Sequence, residues 1–565
     1  MKFLTPQFDY LRTHRESRRN ISVLLRYVGI VSATVLLYSG LFHVLMLHEG
    51  QEHSLLTGLY WTLTVMSTLG FGDITFHTDL GRVFSLVVLL SGIVMLLIVL
   101  PFAFIRFFYA PWLEAQLHLR APRHVPSGLK SHVIFCRYDE VAAGLIERLR
   151  DSAIPYCVIE PDPSVAAALH GDGVSVVTGD LDNRETYDAV ACGAARLVIA
   201  NRNDAENSNI ALIVHEHYPA VPIAAFAEEV DSVDVLELSG ATHVLPLKQR
   251  LGEYLAGRAS VGPAHAQPVG RFKNLRIVEF PVENTGLSGR TIRDTRLREL
   301  TGLNIVACWE RGHLLPARAG TVLTDHSVLV AVGTSDQIAE LDALFVIYNP
   351  NENPVLVIGG GKVGQAAMAF FRRVGVAISV IERDPELRPT LAGLADNVVI
   401  GDASHRSVIM KAGLETAPTV VLTTNDDAWN IFLAVYCRRL NPSTRIVSRI
   451  THERSLEAIH RAGADSVLSY ATLGVKSLLA YVQGSEATFV GEGVDLFIVP
   501  VPASLTGLTL GGARIGEIYG LNVVALQHPD GSAENVMAST ELTENTELVM
   551  LGTAEQRKKF RAEFG

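Results

Sequence analysis

The sequence predicts an all-α membrane unit of two spans with a re-entrant loop between them. Two α/β Rossmann-like domains follow, each with a small α+β lobe. Three observations carry this. Two long apolar runs fall before residue 110, a short glycine-rich loop lies between them, and the rest of the chain repeats itself at a nearly constant spacing. At 565 residues and 48% hydrophobic content the chain can bury several cores. The formal net charge of −11 argues against a nucleic-acid binder, which would carry a basic face. Cys136, Cys157, Cys192, Cys308 and Cys437 are far apart, which suggests neither a zinc site nor a disulfide framework and suits a reducing cytoplasm.

The first apolar run, Ile21 to Leu47, exceeds a secretory h-region and lacks a small-residue cleavage site, so it reads as a retained span. The second, Val83 to Ile105, holds no charged residue, and a helix needs about 20 apolar residues to cross a bilayer. Arg12, Arg15, Arg18 and Arg19 precede the first span and Arg106 follows the second, which places both ends in the cytoplasm. Leu55 to Ser67 is apolar but too short to cross, so it must enter and return on the outer side. Thr68-Leu69-Gly70-Phe71-Gly72-Asp73 follows it. Irregular backbone at that depth survives only when buried in protein or lining a water-filled path.

A re-entrant half helix ending in Thr-Leu-Gly-Phe-Gly-Asp resembles the pore loop of potassium channels. The glycines can take positive φ, so alternate residues can turn their carbonyls to one side. The resemblance implies that the carbonyls of Thr68, Leu69, Gly70 and Phe71, with the Thr68 hydroxyl, ring a K+ ion and replace its water. It also implies a tetramer, each chain supplying one quarter of the ring. Leu69 stands where the family usually has Val, and Phe71 where it has Tyr. Both leave the carbonyls in place, but Phe71 removes a hydroxyl that helps hold the filter. In the second span Gly92 is either a hinge or a small-residue helix contact. Leu96, Leu97 and Leu100 near Pro101 form a candidate apolar constriction. The chain has no helix with arginine at every third position, so no voltage sensor is expected.

Beyond the Pro-rich stretch 110–130 the chain says the same thing twice. Glu160 and Glu382 are 382 − 160 = 222 apart, as are Gly179-Asp180 and Gly401-Asp402, while Asn207 and Asn430 are 223 apart. Such constancy marks two copies of one domain. Gly302-Leu-Asn304 recurs as Gly520-Leu-Asn522 in the small lobes. The whole order is similar to potassium channels with two regulator-of-potassium-conductance (RCK) domains per subunit, which implies a cytoplasmic ring of eight such domains below a homotetrameric pore. The expected boundaries are 1–20 for the N-terminal segment, 21–109 for the membrane unit and 110–130 for a linker. The first copy takes 131–265 with a lobe at 266–348, and the second 354–485 with a lobe at 486–565.

In the second copy Gly359, Gly361 and Gly364 form GxGxxG straight after a strand run, with Glu382 ending the next strand. This context fits a dinucleotide. The first glycine permits the turn, the second lets a phosphate approach the backbone, and the third lets helix and strand pack closely. The amides that open the helix at Lys362 and Val363 would face the phosphate. Glu382 suits ribose hydroxyls, which favours NAD or an adenine nucleotide such as ADP or ATP. The RCK resemblance adds Asp402 as an adenine contact. In the first copy Arg137, Asp139 and Ala142 occupy the glycine positions, so no dinucleotide should bind there in that mode. Its acidic residues Asp139, Glu140, Glu160, Asp162, Asp180 and Asp182 leave two readings open, a Ca2+ site centred on Asp139, Glu160, Asp180 and Asp182, or a solvated rim.

The reading that joins these features is a multi-pass channel of the inner or plasma membrane, not an enzyme. K+ permeates it, and nucleotide, with or without Ca2+, controls it. A membrane-tethered NAD-dependent oxidoreductase and a nonselective cation channel are the alternatives. No catalytic acid or base is nominated near the nicotinamide end.

Overall fold

The computed structural model describes residues 15–106, 122–259, 266–283, 285–310, 313–345, 353–483 and 494–564. The N-terminal segment before residue 15, and with it Arg12, lies outside them, as does the stretch 107–121 that covers most of the expected linker. The chain divides into two compact units, one of residues 1–123 with 161–178 and one of 124–160 with 179–565.

In the first unit the helix Arg15–His48 contains an apolar span from Leu25 to His48, and a second span runs from Asp79 to Phe104. Between them lies the helix Leu55–Met66, capped at its start by the Ser54 side chain, which accepts from the Thr57 amide. The sequence places this short helix correctly because Trp61 and Met66 need an apolar home. Trp61 stacks on Phe42 at 4.9 Å and meets Phe76 edge-on at 5.3 Å, and Phe42, Met46, Met66 and Val88 are fully buried around it. In a bilayer such a cluster is held by van der Waals packing and not by removal of surface from water. Leu36, Leu37, Val83, Leu86 and Leu90 stay exposed, as expected of a lipid-facing or subunit-facing surface.

The second span starts earlier than the apolar run suggests, at Asp79, because Thr78 caps it by accepting from the Gly81 amide. From Ile93 to Val99 it is π-helical before returning to α-helix over Leu100–Phe104. Pro101 supplies the cause. It has no N–H to donate and its ring crowds the carbonyl of the residue four before it, Leu97. The wider register absorbs this, and the Leu100 amide reaches back to the Met95 carbonyl.

In the second unit the duplication is visible in the sheets. The second copy has six parallel strands in the order Asn397–Ile400, Ile378–Glu382, Val355–Ile358, Thr419–Leu422, Arg445–Ile450, Ser466–Ser469. In the first copy Tyr156–Glu160, Val133–Phe135, Leu197–Ala200, Ile223–Phe226 and His243–Leu245 follow the same parallel order. The order reverses beside the central strand, which opens the crevice where such sheets hold ligands. The copies exchange their last helices. Leu247–Gly257 of the first packs on Lys362–Arg373 of the second, and Tyr470–Gln483 of the second on Glu140–Asp151 of the first. Glycines permit both approaches. A Cβ on Gly252 would stand 2.4 Å from the Val363 carbonyl oxygen, and one on Gly474, 474 − 252 = 222 residues on, 2.8 Å from Val141.

The small lobes are antiparallel sheets, one of five strands between Gln267 and Gly333 and one of four between Asp495 and Gly552. Val306, Ala307 and Val330 of the first share a core with Val524, Ala525 and Val549 of the second.

Candidate functional sites

The loop after the short helix alternates as the glycine pattern suggests. Thr68, Gly70 and Gly72 have φ of 61°, 46° and 74°. Thr68 pays for a left-handed conformation that a β-branched residue rarely adopts. It is held there by backbone bonds from the Thr68 amide to the Val65 carbonyl and from the Leu69 and Gly70 amides to the Thr64 carbonyl, at 2.9–3.1 Å. Leu69 and Phe71 side chains are exposed. Two aromatic residues of the short helix brace the loop. Trp61 Nε1 donates to the Ile74 carbonyl at 3.2 Å, and the Tyr60 hydroxyl donates to Asp73 Oδ2 at 3.1 Å. The Tyr60 and Phe71 rings lie parallel, with centroids 6.4 Å apart. Sequence reasoning missed Tyr60. Its hydroxyl bonds within the brace where Phe71 brings none, and the signal was a second aromatic directly before Trp61.

Gly92 is helical, with φ −63° and ψ −46°, and is packed against the end of the short helix. A Cβ there would lie 2.4 Å from Met66 Cα and from its carbonyl oxygen. The π-helical segment begins at the next residue. Leu97 lies within it and is half exposed, and Pro101 lies in the α-helical turn that follows it.

In the second copy the three glycines divide their labour as the fingerprint requires. Gly359 turns at φ 108°. A Cβ on Gly364 would fall 2.0 Å from the Gly359 carbonyl oxygen, so only glycine lets this helix close on the strand. At Gly361 a Cβ would meet nothing within 4 Å, which leaves bare backbone facing open space. Gly361 is the N-cap of Lys362–Arg373, and no side chain caps it, so the first amides of that helix await an acceptor. Val363 is buried, and only its backbone can serve a ligand. The Thr423 hydroxyl donates to the Gly359 carbonyl at 2.7 Å and steadies the turn.

Glu382 ends the adjacent strand. Its Oε2 accepts from the Gly360 amide at 2.6 Å and its Oε1 from the Arg383 and Asp384 amides at 2.6 and 2.8 Å. Asp402 follows the next strand out, joined through the Gly401 amide to the Glu382 carbonyl. The Ser404 amide bonds to Asp402 Oδ1 and holds its carboxyl below the usual range. The predicted residues therefore gather at the carboxyl ends of neighbouring strands.

The first copy is built differently at the same place. Asp139 Oδ1 accepts from the Ala142 amide at 2.8 Å, and Oδ2 from Asn201 Nδ2 at 3.0 Å. The carboxylate caps its own helix where a phosphate would sit, and burial pushes its pKa up. The Ca2+ reading finds no support. Asp139 serves as a helix cap, and among the described residues no group of three or more His, Cys, Asp or Glu is gathered as a metal site.

Comparison with known proteins agrees with this geometry. Residues 30–109 match the ion-channel family, 133–246 and 355–470 each match the TrkA-N domain, and 277–346 the TrkA-C domain. A probable potassium channel protein 2 of Methanocaldococcus jannaschii is 25% identical over 335 residues, 56% of this chain and 95% of that one. Potassium channel protein 1 of the same organism is 24% identical, over 53% and 91%. Among solved structures, the GsuK channel is 36% identical, with a TM-score of 0.59 over 96% of this chain and 99% of that one. The GsuK channel bound to NAD is 35% identical with a TM-score of 0.58 over the same shares. With a pore unit, a duplicated Rossmann-like domain and more than a third of residues shared along nearly the whole length, this chain belongs to the potassium channels that carry RCK domains, the family of the GsuK channel.

Proposed function

We propose that this potassium channel opens and closes in response to a nucleotide of the NAD or ADP class held by the second RCK copy, at Gly359, Gly361, Lys362, Gly364, Glu382 and Asp402. The observation that carries the proposal is the contrast between the copies. The helix behind Gly361 has an uncapped start facing open space, whereas the equivalent helix in the first copy is capped by Asp139. The related GsuK channel bound to NAD supports the choice of ligand. Glu382 would trade its bond to the Gly360 amide for ribose hydroxyls, and Asp402 would reach the adenine. Four chains would bring Thr68 to Phe71 together into one filter, which accounts for the exposure of Leu69 and Phe71 in one chain. The spans lie in the cell membrane with both termini cytoplasmic, eight RCK copies form the ring, and those copies sense rather than catalyse. Ligand shifts the gate only by its differential affinity for the ring's open and closed shapes.

Potassium flux through purified channels in liposomes tests the reading. NAD, ADP and ATP are added in turn to the cytoplasmic face. A nucleotide-dependent change in flux supports it, and flux indifferent to all three contradicts it.

A further inference from the structure

The nucleotide site of the second copy has a neighbour contributed by the first. Lys362, the first residue of the helix behind Gly361, pairs through Nζ with Glu229 Oε1 at 2.5 Å and Oε2 at 2.7 Å. Glu229 lies in the loop after the strand Ile223–Phe226 of the first copy. It is held there because its amide and that of Glu228 donate to the two oxygens of Asp204, at 3.1 and 2.7 Å. Glu228 pairs in turn with Lys248 at 2.8 Å, on the helix whose Gly252 rests on the Val363 carbonyl. Lys362, which opens that helix, and Lys248, on the helix packed against it, are thus each matched by a carboxylate.

The duplication supplies an internal control. Since 362 − 222 = 140 and 452 − 223 = 229, the equivalent pair on the other side is Glu140 with His452, whose Nε2 is 3.9 Å from Glu140 Oε1. There too a loop is held by an aspartate, Asp427, which accepts from the Thr451 and His452 amides. The scaffold is the same and the side chains trade places, with the acid opening the helix and an imidazole in the loop. Where Asp139 fills the phosphate position the helix begins with a glutamate, and where Gly361 leaves it open the helix begins with a lysine.

We propose that Glu229 is a specificity-determining residue of the nucleotide site in the second copy, and that Lys362 exchanges Glu229 for a ligand phosphate on binding. The inference rests on the nucleotide reading above. Binding then breaks a link between the two copies. The freed Glu229 carboxylate beside the phosphates penalises each added negative charge, so the site favours the pyrophosphate of NAD over the chain of ATP.

Calorimetric titration of the purified full-length channel with NAD, ADP and ATP tests this in the wild type and in Glu229→Gln, Glu229→Lys and Gly361→Asp. The pair is about half exposed, so Glu229→Gln should tighten NAD by about three-fold. It should tighten ATP by about ten-fold, and Glu229→Lys should shift the ATP-to-NAD ratio further. Unchanged or weaker binding of all three nucleotides in both Glu229 variants, with binding abolished in Gly361→Asp, overturns the role of Glu229. Binding that survives Gly361→Asp overturns the nucleotide site itself, and this proposal with it.

Discussion

Asp139 Oδ1 accepts the Ala142 amide at 2.8 Å, and 222 residues later Gly361 offers the Gly364 amide no side chain at all. One position thus separates a helix capped by its own carboxylate from one whose first amides no side chain caps. Gly361→Asp should transfer the cap. The new Cβ meets nothing within 4 Å, so the variant should fold. An N-cap carboxylate in place of glycine adds only roughly a few tenths of a kcal/mol to the helix. Isothermal titration should show NAD affinity reduced by at least about 100-fold, through loss of the phosphate site and charge repulsion.

Tyr60→Phe tests the brace of the filter. The variant keeps the ring beside Phe71 but removes the hydroxyl that donates to Asp73. A hydrogen bond to a charged group is worth about 1.5–3 kcal/mol. Single-channel recordings should show conducting bursts shortened by about ten-fold, with the K+ over Na+ preference kept because the carbonyls are unchanged.

Gly92→Ala separates contact from hinge. The added methyl would strike Met66 backbone at 2.4 Å. Overpacking of this kind costs about 1–3 kcal/mol. The contact account predicts a lower thermal midpoint for the purified channel, read by intrinsic fluorescence. A pure hinge would change open probability and leave that midpoint unmoved.

Glu283 predicts a pH dependence in the cytoplasmic unit. Burial pushes its carboxyl up to about 7, although Arg445 pulls the other way. The folded protein therefore binds this proton more tightly than the unfolded chain does. Its contribution is fully present below the ordinary carboxylate value near 4.5 and is lost as pH rises through about 7. Glu283→Gln should remove that dependence and stabilise the protein at pH 8 by on the order of 2 kcal/mol. Urea unfolding at pH 5 and pH 8 checks both the slope and its loss.

The features readable from sequence were those whose chemistry is local. Gly359, Gly361 and Gly364 announce their roles because a turn, an open approach and a close packing each demand a missing side chain. Thr68 to Asp73 is legible for the same reason, with apolar spans on either side. The duplication was legible as a constant spacing, but the exchange of final helices was not. It depends on Gly252 meeting Val363, two residues that say nothing about one another in the chain. Tyr60 escaped because its role is fixed by its distance from Asp73. The π-helical stretch escaped because Pro101 acts on the turn before it. The acidic residues of the first copy left a Ca2+ site and a solvated rim both open in the sequence, and that Asp139 caps its helix shows only once the Ala142 amide is seen beside it.

A nucleotide on the second RCK copy is proposed to set the state of the potassium pore. Planar-bilayer recordings with NAD added to the cytoplasmic face of wild type and of Gly361→Asp test it most directly. The wild type should show an NAD-dependent open probability, and the variant should still conduct K+ but ignore NAD. An equal NAD response in both would contradict it.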